Sequence, residues 1–143
     1  MHNKLPFLTA EEVLEGQVLV FDKPLTWTSF DVVNKVRYTF KNVFGLKKVK
    51  VGHAGTLDPL ATGVLILCTG KKTKTLEALQ AEEKTYTGTI RLGVTTPSFD
   101  AETEVDFKGD AQVISSLKLE EISKAAETLT GNLDQTPPQF SAI

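Results

Sequence analysis

The longest apolar run in the chain, Gly63 to Cys68 (GVLILC), is the length of one β-strand, and the stretch leading into it is punctuated by Gly52, Gly55, Pro59 and Gly63. An apolar strand of this kind has to be buried. A connection so rich in turn-formers, set beside it, reads as an ordered loop from Lys47 to Gly63 that is able to hold chemistry. Upstream, Gln17 to Asp22 (QVLVFD) reads as a second strand, stopped by Lys23-Pro24. Thr28 then opens a helix, with Asp31 in the place of the usual Glu of a capping box. Phe30, Val33, Val36/Arg37, Phe40 and Phe44 follow at helical spacing, and Gly45 is placed to end it.

Downstream, Lys71 to Ala81 is expected as a short helix. Thr85 to Leu92 (TYTGTIRL) alternates as a further sheet strand would, and Val94 to Glu104 reads as a loop. Leu119 to Thr130 has the pattern of an amphipathic helix, with Ile122, Ala125, Ala126 and Leu129 inward and Gly131 as its C′ residue. Cys68 is expected as a small core residue rather than a reactive thiol. Strands and helices mixed without βαβ alternation predict an α+β fold. The 143 residues suit one domain, and no internal repeat is present.

Several classes are excluded early. No apolar run approaches the roughly 18–20 residues that span a bilayer. The N-terminus, MHNKLPFLTAEEVLEG, carries acids where a secretory signal needs a basic flank and an apolar core. One cysteine rules out an intramolecular disulfide, and with two histidines it leaves too few soft ligands for a zinc site. The expectation is a soluble cytoplasmic protein with no metal. Gly70-Lys71-Lys72-Thr73 imitates a nucleotide-binding loop, but Leu65 stands where GxxxxGK[ST] needs glycine and Lys72 where it needs Ser or Thr.

Charge is distributed unevenly. From Lys23 to Thr75 there are ten basic residues against two acids, Asp31 and Asp58, a net of +8; from Leu76 to Ile143 there are five against twelve, a net of −7. One face built for an anion would explain this, and so would solvated Lys-rich loops. Within the basic stretch, Asp58 sits in the Gly/Pro-shaped loop. A carboxylate held there, ionised at neutral pH without a helper base, has what a nucleophile needs. It could equally be a turn residue capping its own backbone before Pro59. His53 reads as a ligand, an acid/base group, a stacking surface or an ordinary hydrogen-bonded loop histidine. Tyr86 on its expected strand reads as a core residue with a hydroxyl at the edge, and Asp100 as a turn or cap residue.

The run Gly52-His53-Ala54-Gly55-Thr56-Leu57-Asp58-Pro59-Leu60-Ala61-Thr62-Gly63 and the Val64-Leu65 after it resemble the catalytic motif of the TruB family of tRNA pseudouridine synthases. The likeness continues outside the motif. Val20 to Pro24, followed by Trp27-Thr28-Ser29, is similar to the family's N-terminal Lys-Pro motif and first helix. Lys84-Thr85-Tyr86 with Arg91-Leu92-Gly93 is similar to its tyrosine motif, and Thr96 to Asp100 to its Thr/Ser-rich loop ending in Asp. Gly131 to Ala142, with Pro138 and Ser141-Ala142, matches the segment that follows. Together these cover nearly everything from Gly16 to Ile143. The loop departs from the family at Pro97, where Asp is more frequent, and at Thr103, where Gly is.

The resemblance implies a pseudouridine-synthase-like mixed, largely antiparallel sheet flanked by helices. It implies conversion of uridine 55 in the T-arm of tRNA to pseudouridine, with base flipping and no cofactor. Asp58 would be the catalytic residue, Tyr86 the stacking residue on the flipped uracil, and His53 a flipping and loop contact. Asp100 would help order the site. Lys23 belongs to the Lys-Pro motif and is expected on the RNA side, while Lys47, Lys48, Lys50 and the Lys71-Lys72-Lys74 cluster would meet phosphates. The partner implied is the tRNA T-arm stem-loop.

Family members continue well past this length, with a second half of the sheet, an Arg pairing with the catalytic Asp, and usually a C-terminal RNA-binding domain. Pro137 to Ile143 ends on an apolar pair, so the sequence reads as cut. The expected organisation is an N-terminal extension over 1–15, then the N-terminal part of a catalytic domain over 16–143. Two other classes compete: an RNA-binding or RNA-folding module without catalysis, and a glycoside hydrolase pairing Asp58 with Asp100, against which the basic surroundings argue.

Overall fold

In the computed structural model, which describes residues 8–134 and 136, the Gly63–Thr69 strand is the centre of a three-stranded antiparallel sheet. We label the elements in chain order: α1 (Ala10–Glu15), β1 (Val18–Lys23), α2 (Ser29–Phe44), β2 (Val51–His53), β3 (Gly63–Thr69), a 3-10 segment Gly70–Thr75, α3 (Leu76–Gln80), β4 (Val94–Thr95), β5 (Phe107–Lys108), α4 (Ala111–Ser116) and α5 (Leu119–Glu127). The mixture is α+β, with small antiparallel sheets flanked by helices, as expected. The chain divides into two units, Met1–Thr85 and Tyr86–Ile143. The segment from Pro137 to Ile143, including Pro138 and Ser141-Ala142, lies outside the described residues.

In the first unit, β3 pairs along its whole length with β1, from Val18 opposite Cys68 to Lys23 opposite Gly63. Its other side takes β2, with Val51 opposite Thr69 and His53 opposite Leu67. Residues directly opposite share a face. Leu19, Phe21, Leu65, Leu67 and Val51 therefore lie on one side, where they pack with Val13, Val32, Val33, Val36 and Val49 into the core. Burying Leu65 and Leu67 contributes about 1.5–3 kcal/mol each. Cys68, on the opposite face, is also buried and free, as a core residue should be.

α2 begins and ends where the sequence places it. Thr28 Oγ1 accepts the Asp31 amide at 3.0 Å, the Asp31 carboxylate accepts the Thr28 amide at 2.9 Å, and Gly45 closes the helix in the left-handed region. Its inward stripe is rotated from the expected one. Ser29, Val32, Val33 and Val36 are buried, and Phe30 is 58% exposed. α1 had no counterpart in the sequence reading, yet it carries its own capping box between Thr9 and Glu12 and places Val13 in the core. It docks on the 3-10 segment through glycine: a Cβ on Gly70, at φ +49°, would stand 2.1 Å from the Leu14 carbonyl oxygen.

Two further expectations are corrected here. The expected Lys71–Ala81 helix is a 3-10 segment running into the five-residue α3. The loop before β3 contains the short strand β2, hidden in the sequence because three residues, one of them glycine, show no period.

The second unit is a β4–β5 hairpin with Val94 opposite Lys108, followed by α4 and α5. Thr85 to Leu92 is not a strand. Alternation marks a segment that could pair, but a ladder needs a partner, and none is present among the described residues. α5 ends at Glu127, its tail continuing as tight turns to Thr130 before Gly131 at φ +100°. Ile122 in α5 and Leu129 beyond its end remain exposed: the pattern defines a face, and no described residue covers it. No helix of the described residues is long and apolar enough to cross a membrane.

Candidate active site around Asp58

Asp58 lies in the connection between β2 and β3, and its neighbours on both sides are fixed to the turn between β1 and α2. On one side, the buried Ser29 hydroxyl accepts the Leu57 amide at 2.9 Å and donates to the Leu57 carbonyl at 3.3 Å. On the other, the Pro59 carbonyl accepts the Thr26 amide at 2.8 Å and the Lys23 ammonium at 3.4 Å. The Asp58 carbonyl closes its own turn by accepting the Ala61 amide at 3.0 Å. The carboxylate is left out of this scaffold: it is exposed and accepts no hydrogen bond among the described residues. The turn is thus built by the main chain, with no self-capping by the side chain.

Lys23 is fully buried at the end of β1. Its ammonium donates to the carbonyls of Trp27 at 2.5 Å, Pro24 at 3.1 Å and Pro59 at 3.4 Å, so all three N–H groups are taken within the protein. The turn it gathers is strained. Thr26 sits at φ +70°, a conformation that costs a β-branched residue on the order of 1–3 kcal/mol.

His53, the last residue of β2, is half-buried, with Nδ1 2.6 Å from the Gly55 carbonyl. A carbonyl can only accept, so Nδ1 carries the proton and Nε2 is the nitrogen left for a ligand. Lys50 is exposed just before β2, and its own carbonyl accepts the Gly70 amide at 2.9 Å. This contact brings the Lys47-Lys48-Lys50 group next to the 3-10 segment bearing Lys71, Lys72 and Lys74. Lys71 there pairs with Glu15 at 2.8 Å, while Lys72 and Lys74 are exposed. In the first unit Lys23 and the Asp58 loop therefore meet at the Gly63 end of β3, while Lys50, bonded to Gly70, lies at the opposite end and His53, opposite Leu67, between them.

Tyr86 and Asp100 belong to the second unit. Tyr86 is 66% exposed on an unpaired segment. The Asp100 carboxylate accepts the Ser98 hydroxyl at 2.6 Å and the Glu102 amide at 2.8 Å. Those two bonds, the Ser98 hydroxyl first, hold its pKa below the ordinary carboxylate value. The same loop lines an open cavity with Arg91, Thr96, Phe99, Glu104 and Lys108.

The sequence reading missed Ser29 and Thr26. A hydroxyl beside an N-cap carries no sign that it reaches a loop 28 residues away. Thr26 had one available signal, a turn position directly after Lys-Pro-Leu.

Comparison with known proteins gives the family. The model of the TruB family pseudouridylate synthase N-terminal domain matches residues 41–143. A tRNA pseudouridine synthase B of Flavobacterium johnsoniae is 54% identical over 137 residues, covering 95% of this chain and 58% of its own length. That of Phocaeicola vulgatus is 56% identical over 128 residues, covering 90% and 53%, and that of Parabacteroides distasonis is 51% identical over 131, covering 92% and 54%. The chain spans a little over half the length of these relatives. With its Asp58 loop, its Lys-Pro turn and a family match over most of its length, the chain belongs to the TruB family of pseudouridylate synthases.

Proposed function

We propose that this chain is the part of a tRNA pseudouridine synthase that supplies the catalytic carboxylate, acting on uridine 55 of the T-arm. The observation that carries the proposal is the scaffold around Asp58: Leu57 and Pro59 are both anchored, and the carboxylate between them is exposed. Catalysis by a positioned group depends on such anchoring.

The reaction detaches uracil from C1′, turns it and rejoins it through C5. Atoms are conserved, so no cofactor or metal is required. Asp58 acts as the anionic group at the sugar or at C6 of the uracil. The target base has to leave the RNA stack, at a cost of roughly a few kcal/mol. Stacking on Tyr86, worth about 1–3 kcal/mol, offsets much of it. His53 Nε2 faces the RNA loop, Asp100 orders the segment that follows Tyr86, and Lys50, Lys72 and Lys74 meet phosphates.

The test is pseudouridine formation in a T-arm hairpin by this chain beside Asp58→Asn. Product from the wild type alone supports the proposal. Turnover surviving in Asp58→Asn overturns the role of Asp58. Tight binding without turnover by either protein would favour the reading as an RNA-gripping module.

A further inference from the structure

The turn that clamps the Asp58 loop also presents the chain's single tryptophan. Trp27 follows the strained Thr26, whose amide is bonded to the Pro59 carbonyl, and its own carbonyl is held by the buried Lys23 ammonium. Backbone strain and a buried cation thus fix a residue whose side chain is not in the core: Trp27 is 38% exposed. With Thr26, Asp31 and Lys35 it lines an open pocket. Residues 27, 31 and 35 fall at intervals of four, which puts Asp31 and Lys35 on one side of α2 next to the turn. Within that side the Asp31 carboxylate is occupied, accepting the Thr28 amide at 2.9 Å and the Thr28 hydroxyl at 2.6 Å. Lys35 is exposed and makes no ion pair among the described residues.

We propose that Trp27 and Lys35 form a nucleotide-binding subsite beside the Asp58 loop, with the indole stacking on an unpaired base of the substrate RNA and the ammonium contacting its phosphate. This rests on the reading of the substrate as RNA. An indole face with an adjacent free cation, in a stretch of net charge +8, suits a base and its phosphate better than an apolar protein surface. The subsite would hold a nucleotide next to the one turned onto Asp58. It would thereby fix the direction of the RNA strand through the site.

Because Trp27 is the only tryptophan, the unmodified chain reports on its own subsite. A T-arm hairpin is titrated into the chain, following intrinsic fluorescence and, separately, the anisotropy of a labelled hairpin. The two curves should share one midpoint, with strong quenching at saturation. Trp27→Ala should weaken binding by about 5- to 150-fold, the range for loss of one base–aromatic stack. Trp27→Phe should recover part of it. Lys35→Gln should lower the slope of log K against log salt by about 0.7–0.9. Binding with unchanged fluorescence and unchanged affinity in Trp27→Ala overturns the subsite and leaves the RNA reading standing. No binding of the hairpin by the wild type overturns both.

Discussion

Ser29 and Leu57 are joined in both directions: one buried hydroxyl accepts the Leu57 amide at 2.9 Å and donates to its carbonyl at 3.3 Å. The residue after Leu57 is Asp58, so the position of the carboxylate is set from within the first turn of α2.

Removing that hydroxyl in Ser29→Ala leaves a main-chain amide without its partner. The expected cost is about 1–3 kcal/mol of stability, read from thermal or urea unfolding. If the whole pseudouridylation reading holds, turnover should fall by about 100-fold with little change in RNA affinity, because misplacement acts on the reacting geometry.

Lys23→Met leaves the carbonyls of Pro24, Trp27 and Pro59 without their donor. Unfolding should show a loss of about 3 kcal/mol or more, and Lys23→Arg should not restore it, since a planar fork does not fit three converging carbonyls. The salt dependence of RNA binding should be unchanged in Lys23→Gln. A reduced salt slope would return Lys23 to the RNA contacts among which the sequence reading placed it.

Acid should weaken the chain through three carboxylates. Asp31 is held low by the Thr28 hydroxyl and amide, Glu12 by the Thr9 amide and hydroxyl, and Asp100 by the Ser98 hydroxyl and the Glu102 amide. Each has a folded pKa below its unfolded value, so its contribution is present above the unfolded value and is lost as pH falls through the folded one. Thermal unfolding should therefore be level near neutrality and decline below about pH 4. In Asp31→Asn the decline should be smaller, from a lower starting point; an identical decline would remove Asp31 from the account.

Gly70→Ala should detach α1. The new methyl would sit 2.1 Å from the Leu14 carbonyl oxygen, on a backbone with φ +49°. The measurement is amide exchange at Val13 and Leu14, expected to speed up while Leu65 and Leu67 stay protected.

What could be read from the sequence was whatever local chemistry decides. Thr28, Asp31 and Gly45 delimit α2 because caps act over one turn, and β1 and β3 stand out by their apolar content. The loop around Asp58 is marked by its glycines and proline. β2 and α1 escaped because each is short, although Thr9 and Glu12 carried a capping signal that was available. Thr85–Leu92 and the apolar side of α5 failed for a different reason: a periodic pattern states what a segment could pack against, not that it does. Ser29 reaches a residue 28 positions away and the Lys23 ammonium one 36 away, and no local pattern encodes such a distance; Thr26 showed only as a turn position after Lys-Pro-Leu.

That separation also makes the Leu57 amide a gauge of whether the site exists at all. Its partner is a buried hydroxyl from a distant helix, so the loop cannot acquire its shape from its own sequence, and closing so wide a gap in the chain costs entropy that only the finished core offsets. Deuterium should reach the Leu57 amide only when the first unit opens, and a partly folded chain would carry Asp58 in its sequence without holding it anywhere.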